Sequence, residues 1–288
     1  MTMLHIAGYS WLDWHLHPEV VLPLILLEVA YLYSVTAVRG MIADAGRVKR
    51  SQVITFSLGV LVLYIAAGSP IHDISEEYLF SVHMLQHLLF TLVAAPLLLI
   101  GTPAWLWQAL LRRPGVMPVA RLLTNPLIAF SAFNAVLIIT HLQPVVDLAL
   151  RHHEFHLLVH LVLMVTAIMM WWPILSDVPE LPRLSYPLQM AYLFLQSLLP
   201  SVLASFITFS DGVVYEFYAE APRIWGLSAM ADQQIAGGVM KLGGSLILWG
   251  FIGVAFFRWY QREQELSGSP GWPEVEAELD RLGLSPKQ

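Results

Sequence analysis

The sequence predicts an all-α, polytopic membrane protein: a bundle of seven transmembrane helices with its N-terminus outside and its C-terminus inside. Three observations predict it. Of the 288 residues, 57% are hydrophobic and only 12% are charged, where a soluble domain carries about 25% charged residues; the mean hydropathy is +0.64. Seven apolar segments each approach the roughly 20 residues that a bilayer core requires. Basic residues gather in alternate loops, and positively charged loops stay in the cytoplasm.

The segments run over about 18–38, 52–68, 79–100, 125–142, 155–173, 187–209 and 233–257. The loop after the first holds Arg39, Arg47, Lys49 and Arg50, and the loop after the third holds Arg112, Arg113 and Arg121. Arg183 follows the fifth, and Arg258 and Arg262 follow the seventh. The opposite side has only Arg151 and Arg223. Pro96 and Pro200 sit inside the third and sixth spans and are expected to kink them. Trp105, Trp107, Trp171, Trp172 and Trp259 suit interfacial belts. The loop 210–232 is long and aromatic, and could cap the outer face. Glycine pairs at 237–238 and 243–244 permit close contact by the seventh span. Residues 1–262 thus form the transmembrane domain. Residues 263–288 form a short polar cytoplasmic tail, in which Trp272, Val275, Leu279 and Leu282 pattern an amphipathic helix. No cleavable signal peptide is expected, because the first basic residue is Arg39 and such peptides begin with positive charge.

In this topology all eleven histidines fall on the outer side. His5, His15 and His17 precede the first span, the last two within a Trp11-Leu-Asp13-Trp14-His15-Leu-His17 stretch that reads as an anchor or as a capture site for metal. Four histidines form two His-x-x-x-His pairs, His83/His87 and His156/His160. Residues four apart share a helix face, so each pair offers two imidazoles at one spot. Intramembrane polar groups are costly and face a bundle interior; these pairs are either structural or hold a metal or haem. With no cysteine in the chain, disulfides, thiolate sites and C-x-x-C redox chemistry are excluded.

Further residues extend the pattern. If the fifth helix begins near Asp147, His152, His156, His160 and Met164 make one continuous stripe along which a metal could travel. His153, His72 and His141 lie on the same side. Thioethers suit Cu(I), and imidazole suits copper or zinc; Met84 adjoins His83 but points about 100° away on a helix. Asp232 and Gln233 open the seventh span, either as a helix cap or as groups that orient an imidazole. Glu28 and Lys241 both sit roughly 14–15 Å deep, which suggests a buried ion pair or a relay.

At the third span the residues become recognisable. His83-Met-Leu-Gln-His87-Leu-Leu-Phe, followed by Ala94-Ala95-Pro96-Leu-Leu-Leu-Ile-Gly101-Thr-Pro103, resembles the signature of the CtaG family of cytochrome c oxidase assembly factors. Ser69-Pro70, Tyr215 to Tyr218, Gly226-Leu-Ser228 and Asp232-Gln-Gln-Ile-Ala-Gly-Gly-Val-Met240 agree with that resemblance over roughly residues 10–262, and Lys241 departs from it. It implies a multi-pass assembly factor of the bacterial cytoplasmic (inner) membrane. Such a protein serves a haem–copper oxidase and is concerned with copper delivery or insertion. The single-span copper chaperone of the same name uses cysteines, so it is a different protein. The expected partners are oxidase subunits or other copper chaperones, with the lipid bilayer and without nucleic acid. Two other classes stay open. One is an intramembrane zinc hydrolase using Asp232 or Asp73 as its carboxylate. The other is a b-type haem electron carrier pairing His83 or His87 with His156 or His160.

Overall fold

A computed structural model describes residues 17–42, 45–267 and 272–282, and its regular elements are all helical. His5, His15 and the Trp11-Asp13-Trp14 stretch lie outside those residues. In chain order the helices are α1 (Pro18–Thr36), α2 (Arg50–Ala67), α3 (Pro70–Glu77), α4 (Phe80–Gly101), α5 (Ala104–Leu111), α6 (Val116–Leu123) and α7 (Pro126–Thr140). They continue with α8 (Gln143–Arg151), α9 (His153–Leu175), α10 (Tyr186–Thr208), α11 (Glu216–Glu220), α12 (Ala229–Glu265) and α13 (Trp272–Arg281), the predicted tail helix.

Among the described residues, six helices are long and apolar enough to cross a membrane: α1, α2, α4, α9, α10 and α12. The expected fourth span is built differently. With 15 residues, α7 reaches only about 22 Å, short of a hydrocarbon core of ~30 Å. It becomes a seventh crossing only together with α6, from which it is bent by 70°. The bend has a local cause. Asn125 accepts from the amides of Leu127 and Ile128, and Pro126 occupies the first helical position, a strong start signal.

The centre of the bundle is α4, of whose span 67% is buried, against 11% for α1. It packs on α2, α3, α9 and α12. Its middle, Leu89–Ala94, is a π turn in which the amide of Ala95 bonds Phe90 O. Pro96 has no N–H, so the carbonyl of Thr91 is left without a helical partner. The indole N–H of Trp171 on α9 takes it at 2.8 Å. A carbonyl freed inside a membrane helix needs such a partner. Trp171 is therefore fully buried, and Trp105 and Trp172 are nearly so; these three are core residues, not the interfacial belt that composition suggests. At the far end of α4, Gly101 lies so close to Phe56 that a Cβ would meet the α2 backbone. Tyr31 donates to Gly101 O at 2.8 Å, tying α1 in. In α12, Gly237 presses on Ala204 and Thr208 of α10 in the same way.

The expected ion pair is absent. Glu28 accepts a hydrogen bond from Ser57 of α2 at 2.5 Å, and Lys241 donates to Ser205 of α10 at 3.1 Å. Equal depth did not make them neighbours, because α1 packs on α2 while α12 packs on α10.

Candidate metal centre

The two histidine pairs meet. One ring nitrogen from each of His83, His87, His156 and His160 lies within 4.8 Å of the other three. His83 faces His156 with ring centroids 5.3 Å apart, and His87 faces His160 at 5.2 Å. Within the pairs the separations are 4.3 Å and 4.2 Å. Imidazoles sharing one tetrahedral ion at about 2.0–2.1 Å would have centroids about 5 Å apart. The cross-helix pairing shows that α4 and α9 run parallel here, and the Trp171–Thr91 bond holds them in that register.

These rings fit a metal because their buried nitrogens have no other use. His83 Nδ1, His156 Nε2, His160 Nε2 and both nitrogens of His87 lack a hydrogen-bond partner. A buried polar atom left unsatisfied costs about 1–3 kcal/mol, so orphans converging on one point make a candidate ligand set. His156 is also oriented from behind: its Nδ1 lies 2.9 Å from Glu76 Oε1. A carboxylate on the far nitrogen fixes the tautomer and raises ligand basicity, as it does behind many metal-bound histidines.

Glu76 was not among the residues expected here; Asp73 and Asp232 were the carboxylates in view. It comes from α3, which Ser69 caps and Pro70 opens, and it also meets His72 Nε2 at 3.1 Å. The signal was present, since His72 and Glu76 are four residues apart. Burial works to raise the Glu76 pKa, but His156 and His72 hold it below its ordinary value. On the other edge of His72, Gln86 Nε2 approaches Nδ1 at 3.1 Å and also donates to Ala66 O. His17 extends the polar chain, with Nε2 at 2.8 Å from Asp73 and Nδ1 at 3.1 Å from Glu19. Burial would lower the His17 pKa, but the two carboxylates outweigh it and raise it.

The other predicted residues divide. His141 joins the cluster, its ring 5.8 Å from that of His87, with Nδ1 at 2.7 Å from Leu137 O. His152 does not belong to a continuous stripe. The chain breaks there with an extended backbone between α8 and α9, and His152 is exposed. His153 is also exposed, 3.6 Å from Glu19. Met164, one turn beyond His160, packs into the apolar core. Asp232 orients no imidazole, nor does it cap its own helix, a task that falls to Ser228. It caps α4 instead: its carboxylate accepts the amides of Phe80 at 2.7 Å and Ser81 at 3.0 Å. Gln233 ties down the preceding loop through Ile207 O, Gly212 O and the amide of Val214. In that loop Tyr215 and Tyr218 are buried against Phe80. Tyr218 also stands 6.2 Å from His83 and donates to Ser75 O, so the aromatic loop lids the centre.

The chain has relatives among known proteins. It is 27% identical over 233 residues to an uncharacterised protein of Mycobacterium bovis and, equally, to one of Mycobacterium tuberculosis. A Mycobacterium leprae relative, also uncharacterised, is 23% identical over 223 residues. These alignments cover 75%, 75% and 69% of this chain, but only 34% of each relative. The chain thus spans about a third of the length of the curated relatives it matches. No solved structure matches it. Residues 29–262 match the cytochrome c oxidase caa3 assembly factor (Caa3_CtaG) family, and the chain belongs to that family.

Proposed function

We propose that the four-histidine centre holds copper as cargo, and that the protein supports copper delivery to cytochrome c oxidase during assembly. One observation carries this reading: four imidazoles with unpartnered buried nitrogens converge within 4.8 Å. Histidine ligands without thiolates bind copper and let it exchange, since thiolates would hold Cu(I) more firmly. Basic loops at the opposite end of the bundle support a cytoplasmic position for that end. The centre then faces the outer side of the bacterial inner membrane and receives copper there. His83, His87, His156 and His160 are the ligands, and Glu76 positions His156. Oxidase subunits or other copper chaperones are the partners, and the chemistry is ligand exchange rather than turnover.

The alternative chemistries fit less well. A zinc hydrolase needs an open coordination position and a free acid–base group. Here four histidines would supply all four positions of a tetrahedral ion, Glu76 is engaged with His156 and Asp232 with two amides. A porphyrin needs far more room than the cavity of about 60 Å³ beside the rings.

The test is metal analysis of the purified full chain, loaded with copper or zinc, beside oxidase activity in cells at limiting copper. Wild type should hold stoichiometric copper. His83→Ala and His160→Ala should lose it and leave the oxidase immature at normal expression. Full oxidase activity with both variants would overturn the proposal.

A further inference from the structure

Beside the centre lies a pocket between α4, α7, α10 and α12 that the four-histidine set does not use. It has a volume of about 60 Å³, and His87, His141, Met84 and Met240 face it. Resting on the copper reading of the centre, we propose that this cavity is a second station, for a soft monovalent metal ion, built from His141, His87 and the thioethers of Met84 and Met240.

The lining offers lone pairs. His141 Nδ1 is 2.7 Å from a carbonyl, Leu137 O. A carbonyl only accepts, so Nδ1 carries the proton and Nε2 carries a lone pair. That Nε2 is buried and unpartnered. Three hydroxyls of the lining donate elsewhere: Thr91 to His87 O, Ser197 to Phe194 O and Ser201 to Ser197 O, each at 2.7 Å. Gln196 accepts from Asn134 Nδ2 at 2.9 Å and directs its own amide N–H to Asn134 Oδ1 at 3.5 Å. None of these groups takes the His141 Nε2 lone pair, and imidazole with thioether suits Cu(I) above Zn(II).

The geometry agrees. The His87 and His141 rings stand edge to face at 5.8 Å. Two imidazoles bound to one ion at about 2.0 Å would have centroids about 5–6 Å apart. His87 belongs to both places, and neither of its nitrogens has a protein partner; a neutral ring offers one lone pair at a time, its proton shifting to the other nitrogen when the ligand atom changes. It can thus release an ion from the centre and present it to His141. Cu(I) would move as Cu(I), one Cu–N bond breaking as another forms, with no electron transferred.

The experiment is anaerobic titration of the solubilised full chain with Cu(I) against a colorimetric chelator, with Zn(II) titrated separately. Wild type should take two equivalents of Cu(I) and one of Zn(II). His141→Gln, and separately Met84→Leu with Met240→Leu, should reduce Cu(I) to one equivalent and leave Zn(II) at one. The retained zinc shows that the bundle still folds. If wild type takes one equivalent of Cu(I), lost in His160→Ala and kept in His141→Gln, the second station is overturned and the four-histidine reading stands. Two equivalents retained in the double methionine variant would also overturn it. If wild type takes no Cu(I), both readings fall.

Discussion

Removing the Asp232 carboxylate should loosen the start of α4, and the cost can be worked from two bonds. The carboxylate accepts the amides of Phe80 and Ser81 at 2.7 and 3.0 Å, and Asp232 itself is fully buried. Asp232→Ala orphans both amides where little water can reach them. At about 1–3 kcal/mol for each unsatisfied buried donor, the loss is roughly 2–6 kcal/mol. Lost charge at the positive end of the helix dipole adds ~0.3–2 kcal/mol. Asp232→Asn keeps one acceptor oxygen, so it should lose about half as much. The first turn also carries His83, whose own amide bonds Leu79 O at 3.1 Å. Fraying would therefore withdraw a metal ligand, and copper affinity should fall in the same order, alanine worse than asparagine. Reversible unfolding in detergent micelles measures the stability, and chelator competition measures the affinity. An alanine variant within about 0.5 kcal/mol of wild type would refute the capping argument.

The Glu76 carboxylate, with its pKa held below 4.5, should contribute stability that is fully present above about pH 4.5. That contribution is lost as pH falls through the lower folded value. In thermal unfolding of the metal-free protein, the gap between wild type and Glu76→Gln should be flat from pH 5 to 7 and close on further acidification; a gap that widens in acid would contradict the assignment. Because Glu28 and Lys241 have separate hydroxyl partners, Glu28→Gln and Lys241→Met should add within about 0.5 kcal/mol. A double variant that recovers the stability of either single one would restore the ion pair.

The sequence displays what repeats along one helix and conceals what depends on lateral placement. His83/His87 and His156/His160 were legible because a four-residue spacing fixes a shared face whatever the bundle does. Glu76 was concealed because α3 looks like a connecting loop between two spans, although Ser69-Pro70 is a start signal and His72 and Glu76 share a face. The Glu28–Lys241 pairing failed for a related reason: residue counting gives depth along a helix, but not its direction around the bundle. The break at His152 carries no glycine or proline to announce it. Asp232 reads in sequence as the cap of its own helix, but that helix starts earlier, at Ala229 with Ser228 as its cap; its carboxylate serves another helix entirely, a partnership that depends on how α12 packs against α4.

The π turn in α4 also resets the phase of the helix. His83 and His87 address α9, and in an uninterrupted α-helix Ala94, Leu98 and Gly101 would continue that stripe, at 7, 11 and 14 residues beyond His87. Instead Ala94 and Leu98 pack with Tyr31, Phe56 and Val60 of α1 and α2. The residues one place later, Ala95 and Leu99, pack with Ala167, Met170 and Trp171 of α9. One extra residue in a turn rotates everything after it by about 100°. A single straight run of sequence thereby presents histidines to one neighbour at one end and a glycine to another neighbour at the other. Deleting one residue between Phe90 and Ala95 would close the π turn into an ordinary α-helical turn and leave both stripes aimed at their present neighbours, whereas winding the intact sequence as a plain α-helix would aim one of them at the wrong helix.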